Sequence, residues 1–145
     1  MTEAGNRSLF LIIAALSLAG IIVSAISLQR HYAKSATEFC DFSQKFSCDI
    51  VNRSEYSEIA GIPVAAVGVL GYAVLFALST FRKSRPETPT TLLLASAAGL
   101  IIALCLTYVE AYVLKTWCIL CLVSQFLILL ITLTAAAIKL RTRKA

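Results

Sequence analysis

Trp117-Cys118-Ile119-Leu120-Cys121 places two thiols three residues apart at the mouth of the last apolar stretch of the chain. On a helix that spacing puts both on one face, so the pair can close into a disulfide or open to a dithiol with little backbone movement. A second pair, Cys40 and Cys48, lies in the polar stretch Glu38-Phe39-Cys40-Asp41-Phe42-Ser43-Gln44-Lys45-Phe46-Ser47-Cys48-Asp49, and Cys105 stands alone. Two pairs point to thiol–disulfide exchange, in which a thiolate attacks a disulfide sulfur and electrons pass from pair to pair. Three other uses of the same residues stay open: half of a zinc site, a disulfide that only staples a loop, and small apolar side chains packing in a bundle. Zinc asks for four nitrogen or sulfur ligands, and the chain has one histidine, His31, so no metal ligand set is assigned. Position favours redox chemistry. A dithiol at the boundary of water and hydrocarbon can meet a lipid-soluble electron acceptor on one side and a water-borne thiol on the other.

The elements that must hold these thiols are transmembrane helices. The chain has 145 residues, 59% of them hydrophobic and 14% charged, with a mean hydropathy of +0.83, which is far more apolar than a soluble domain. Four charge-free windows, Ser8 to Gln29, Ile59 to Phe81, Thr88 to Val109 and Thr116 to Ile138, each meet the roughly 20 residues that a spanning helix needs. They predict an all-α membrane protein: a single domain over 1–145, a four-helix bundle with helices near 9–28, 62–81, 91–113 and 117–138, and an outer loop over 30–58. Phe39, Phe42 and Phe46 recur at spacings of three and four, which predicts a short amphipathic helix in that loop, lying on the interface or on the mouth of the bundle.

Basic residues set the orientation. Arg7, Arg82, Lys83, Arg85, Lys139, Arg141, Arg143 and Lys144 fall on one side, whereas the other carries Glu38, Asp41, Asp49, Glu55, Glu58 and Glu110 against fewer cations. The positive-inside rule then puts both termini in the cytoplasm and the loop of Cys40 and Cys48 in the periplasm or exterior, an oxidising compartment where disulfides persist. The net charge of +5 is therefore a topology signal, and no nucleic-acid partner is expected because no basic soluble domain exists. Ala25-Ile26-Ser27 loosely resembles a signal cleavage site, but the apolar run before it exceeds a signal core, and the first helix is expected to stay. Asn52-Arg53-Ser54 matches a glycosylation sequon, a pattern common by chance.

Within the helices, Ser17, Ser24 and Ser27 read as packing residues of the first segment. Pro63 opens the second helix in its tolerated first turn, and Ala65, Ala66, Gly68 and Gly71 thin one side of it, which suits close packing or a flat ligand. Glu110 sits near the outer end of the third helix, where a carboxylate is costly unless paired or near water. It is a candidate for proton handling, with snorkelling or pairing to Lys115 as the even alternative. Cys105, about 7 Å deeper at ~1.5 Å per residue, is a candidate for lining the same pocket or a plain small apolar residue.

The order of these features, a Cys-x7-Cys loop pair, then Gly61-Ile62-Pro63-Val64-Ala65 with Gly68 following, then Cys118-x-x-Cys121 at the head of the last helix, resembles the vitamin K epoxide reductase family in its short bacterial members. The resemblance spans nearly the whole chain. Another bacterial membrane family that passes electrons from thiols to quinones places its C-x-x-C earlier and its loop pair later. The resemblance implies a quinone, ubiquinone or menaquinone, held inside the bundle in the bacterial cytoplasmic membrane. It implies that Cys121 reacts with the quinone, that Cys118 exchanges with Cys48, and that Cys40 forms a mixed disulfide with an external thioredoxin-like protein. The thioredoxin-like domain fused to some members is not present in this sequence, so that partner is expected to act in trans.

Two positions depart from the vertebrate members. Val64 stands where they carry an Asn that contacts the naphthoquinone, and Gln125 stands where they carry a Tyr four residues beyond the second cysteine. Epoxide reduction is therefore not carried over. Gln125 remains a candidate for bonding a quinone carbonyl, or for bonding a neighbouring helix. Val64, Gly68, Cys105, Glu110 and Gln125 are thus the expected acceptor-binding positions. Two other classes compete with an oxidase: a module in which Cys40, Cys48, Cys118 and Cys121 hold a soft metal ion, and a structural bundle with a stapled loop.

Overall fold

The computed structural model describes residues 2–32, 58–59, 61–81, 87–114 and 119–144. Helix α1 runs Thr2–Tyr32, α2 runs Val64–Phe81, α3 runs Thr88–Tyr108 and continues as a π-helical turn over Val109–Leu114, and α4 runs Ile119–Lys144. Two short antiparallel strands, β1 (Glu58–Ile59) and β2 (Ile62–Pro63), pair Glu58 with Pro63 and Ile59 with Ile62 just before α2. Gly61 turns this hairpin with φ of +84°, a left-handed conformation in which a side chain would be strained. The proposed amphipathic helix at Phe39–Phe46 lies outside the described residues.

Each of the four helices contains a span long and apolar enough to cross a membrane: Arg7–Gln29, Val64–Phe81, Thr88–Val113 and Ile119–Arg141. The protein is a four-helix membrane bundle. Helices α1 and α4 continue past their apolar spans into charged sequence, since neither extension contains a proline to stop it. Pro89 sits in the first turn of α3, where its missing N–H costs nothing. Large apolar side chains such as Leu18, Leu70, Leu94 and Phe126 face outward, as suits a lipid solvent. Threonine hydroxyls on the spanning helices are bonded to their own backbone, Thr132 to the carbonyl of Ile128 at 2.8 Å and Thr134 to that of Leu130 at 2.7 Å.

Packing around the bundle is uneven. Helix α1 packs closely on α2 and on α4, and α3 packs closely on α4, but α2 and α3 touch sparsely. The ring therefore runs α2–α1–α4–α3 with one loose seam. The apolar core, with Phe10, Ile13, Leu75, Leu92, Ile131 and Ile138, fills the end that carries both chain termini. At that end Lys139 of α4 donates to the Thr90 hydroxyl of α3 at 2.6 Å.

Tyr72 marks where the core stops. It belongs to the core cluster, and its ring lies flat on the backbone of Gly20, so that a Cβ on Gly20 would fall inside the ring's van der Waals contact distance. Gly20→Ala is expected to destabilise the protein by about 1–3 kcal/mol through overpacking, read as a lower unfolding midpoint in detergent. Gly71→Ala, whose Cβ would meet nothing within 4 Å, is the matched control and should leave the midpoint in place.

Candidate functional site

Beyond Tyr72, toward the other end of the bundle, the helices enclose a cavity of about 360 Å3. Its existence follows from the loose seam. Gly68 and Gly71 of α2 and Ala98 and Gly99 of α3 face it, and side chains this small cannot bridge the gap between the two helices. Val74 and Ile102 line the cavity while remaining 52% and 38% exposed. The cavity wall is thus continuous with the lipid-facing surface of the seam.

Few polar groups interrupt the apolar lining. Ser24 and Ser27 enter from α1, Tyr72 from α2, Thr107 and Glu110 from α3 and its π-turn, and Cys121 and Ser124 from α4. Cys121 is half-buried on the wall. Glu110 is 1% exposed although it stands in a stretch whose Tyr108 and Tyr112 are 62% and 70% exposed. The π-turn rotates Glu110 away from the outer surface. Such turns insert one residue into the helical ladder and recur where a side chain must be re-aimed, and here the N–H of Val109 reaches the carbonyls of both Cys105 and Leu106. Tyr108 and Tyr112 stack on the outside with ring centroids 5.0 Å apart, an arrangement typical of the membrane interface.

The floor of the cavity is a strut. The Tyr72 hydroxyl donates to the Ser124 carbonyl at 2.8 Å and, its one proton being so used, accepts from the Ser124 hydroxyl at 2.9 Å. Ser124 lies one turn from Cys121, so α2 holds the turn of α4 that carries the thiol. The Thr107 hydroxyl lies between the carbonyl of Ala103, at 2.9 Å, and Oε1 of Gln125, tying α3 to α4 beside the cavity.

Of the residues singled out from sequence, Cys121, Val64, Gly68 and Glu110 share this cavity. Gln125 stands behind the wall, its side-chain oxygen engaged by Thr107. Cys105 is exposed on the outer surface of α3 and does not line the cavity. Cys40, Cys48 and Cys118 lie outside the described residues. Tyr72, Ser124 and the cavity-facing role of Ser24 and Ser27 were not expected from the sequence. Tyr72 had one signal, as the only tyrosine of the second apolar window, whereas serines in a membrane helix serve packing too often to stand out.

Tyr72→Phe should keep the ring on Gly20 and remove the strut. The expected loss is about 1 kcal/mol of stability, measured by unfolding in mixed micelles, with a smaller loss for Ser124→Ala because the carbonyl acceptor remains.

Compared with protein families, the chain matches the model of the vitamin K epoxide reductase family over residues 11–136, from within α1 to within α4. Compared with curated proteins, it gives no match.

Proposed function

The chain belongs to the vitamin K epoxide reductase family, whose members are membrane thiol oxidoreductases, and on that premise we propose that it passes electrons from an external thiol protein to a membrane quinone. The observation that carries the reading is Cys121, a thiol half-buried on the wall of an apolar cavity open to the lipid seam. The donor set fits a quinone: flat glycine and alanine walls on two helices, a small number of polar side chains, and a cysteine adjoining them. Val64, Gly68 and Glu110 would hold the ring, with Gln125 supporting the wall through Thr107. Cys105, on the outer face, is left without a part.

The outward pair Cys40 and Cys48 takes electrons from a thioredoxin-like protein acting in trans, Cys40 forming the mixed disulfide. Cys48 then exchanges with Cys118, and the Cys118–Cys121 dithiol is reoxidised to a disulfide. A quinone held in the cavity would supply the acceptor for the two electrons and two protons released when the dithiol closes. In sequence Cys118 directly precedes Ile119, the first residue of α4, and a helix dipole acting there would favour the thiolate. Glu110, in the same cavity as Cys121, takes up a thiol proton and returns it toward the ring oxygen. Net output is one protein disulfide per hydroquinone. Summed over the two termini and the stretch 82–87, eight basic residues face Glu3 and Glu87, which supports a bacterial cytoplasmic membrane location with both termini inside and the cysteine loop outside. Val64 on the cavity wall in place of an amide side chain keeps this reading to quinone reduction, without epoxide chemistry.

The test is anaerobic. Reduced protein, freed of reductant and mixed with a water-tolerant quinone, should lower the quinone absorbance, and Cys118→Ser and Cys121→Ser should abolish this. A folded wild type that leaves the quinone unchanged and carries stoichiometric zinc or copper would replace the oxidase reading with metal binding. Glu110→Gln should slow single-turnover quinone reduction on the order of a hundredfold, the usual worth of a general acid, while exchange of the outer cysteine pair with a soluble dithiol keeps its rate.

A further inference from the structure

Ser24 and Ser27 differ from the threonines of the spanning helices. The hydroxyls of Thr107, Thr132 and Thr134 each sit on a carbonyl one turn earlier, as membrane helices require of a polar group without water. Ser24 and Ser27 are 5% and 7% exposed, both line the cavity, and neither hydroxyl makes a hydrogen bond among the described residues. An unmade hydrogen bond in so apolar a place is costly, and a ligand that accepts one would recover it. The two stand one turn apart on the same face of α1, so both can reach a single ligand atom or its immediate neighbours.

The surroundings are shaped for this. Gly68 of α2 faces Ser24, and a Cβ at position 68 would lie 2.8 Å from the Ser24 Oγ and 3.4 Å from its Cβ. The glycine keeps open the space that the hydroxyl occupies. Across the cavity, on α3, stands Glu110, and α1 and α3 are not among the helix pairs that pack against each other. A flat ligand between them meets hydroxyl donors on one side and a carboxyl group on the other.

We propose that Ser24 and Ser27 donate the hydrogen bonds that hold one ring oxygen of the acceptor, so that the cavity selects para-quinones, whose second oxygen points to the opposite wall and Glu110. This rests on the quinone reading above and adds to it which wall recognises the ring. Ser17, lower on the same face of α1, is also buried without a partner but does not line the cavity, and has no part in recognition.

The experiment compares wild type, S24A/S27A, G68A and S17A with two quinones that carry no free position for thiol addition: tetramethyl para-benzoquinone and phenanthrenequinone, an ortho-quinone. Steady-state reduction gives KM and kcat, and equilibrium binding of the para-quinone to oxidised protein is measured independently of turnover. In S24A/S27A the KM and dissociation constant for the para-quinone should rise about tenfold, kcat should change less than threefold, and the para-over-ortho ratio of kcat/KM should fall about tenfold. G68A, which forces the Ser24 hydroxyl from its place without removing it, should move in the same direction, and S17A should match wild type. Unchanged para-quinone binding in a folded S24A/S27A, or equal losses with both quinones, overturns the serine assignment while leaving the oxidase reading standing. Wild type that neither binds nor reduces either quinone overturns both.

Discussion

A hole inside a four-helix bundle persists only if something else fixes the distance between its walls. Here that constraint is the packed end of the bundle, where Phe10, Ile13, Leu75, Leu92, Ile131 and Ile138 bring all four helices together, closed at its upper limit by Tyr72. The phenol reaches from α2 to the Ser124 turn of α4 and its ring rests on the bare backbone of Gly20. Above this floor α2 and α3 can stand apart. In lipid, apolar surface gains little by closing on itself, so a seam lined with glycine and alanine carries no strong force to collapse it.

Because the wall is otherwise inert, the placement of a few polar atoms decides what the cavity can do. Cys121 and Ser124 share one helical turn, so the strut that fixes one also fixes the other. Glu110 owes its inward direction to the π-turn over Val109–Leu114, which turns a carboxyl group inward while its neighbours Tyr108 and Tyr112 remain at the surface. Thr107, on the wall, engages the side-chain oxygen of Gln125 behind it. Ser24 and Ser27 of α1 face the cavity with no hydrogen bond among the described residues. The chemistry of a thiol and an acid is thereby confined to one end of a membrane span.

Much of the architecture was legible in the sequence, since charges bracket four apolar windows and lipid tolerates few other structures. Pro63, expected in the first turn of the second helix, instead ends strand β2 one residue before α2, and Pro89 stands in the first turn of α3, ahead of the start expected near 91, because a missing N–H costs nothing there. The cavity was not legible. Small residues at Gly68, Gly71, Ala98 and Gly99 serve equally for close contact and for an open gap, and only the pairing of helices around the ring separates the two. The sequence likewise left Glu110 evenly balanced between snorkelling and a pocket, because a π-turn inserts one residue without any compositional mark. Gln125, one turn from Cys121 on the helical wheel, was a reasonable wall residue until Thr107 of the neighbouring helix was seen to engage it.

Val74 and Ile102, at once cavity lining and outer surface, have a pharmacological consequence. A small molecule that competes for this cavity is drawn from the bilayer, so its potency tracks its partition coefficient into the membrane as well as its fit. Two inhibitors of equal affinity for the site would then differ in effective dose by the ratio of their lipid solubilities. Substitutions that widen or narrow the seam would alter resistance without touching a single reacting atom.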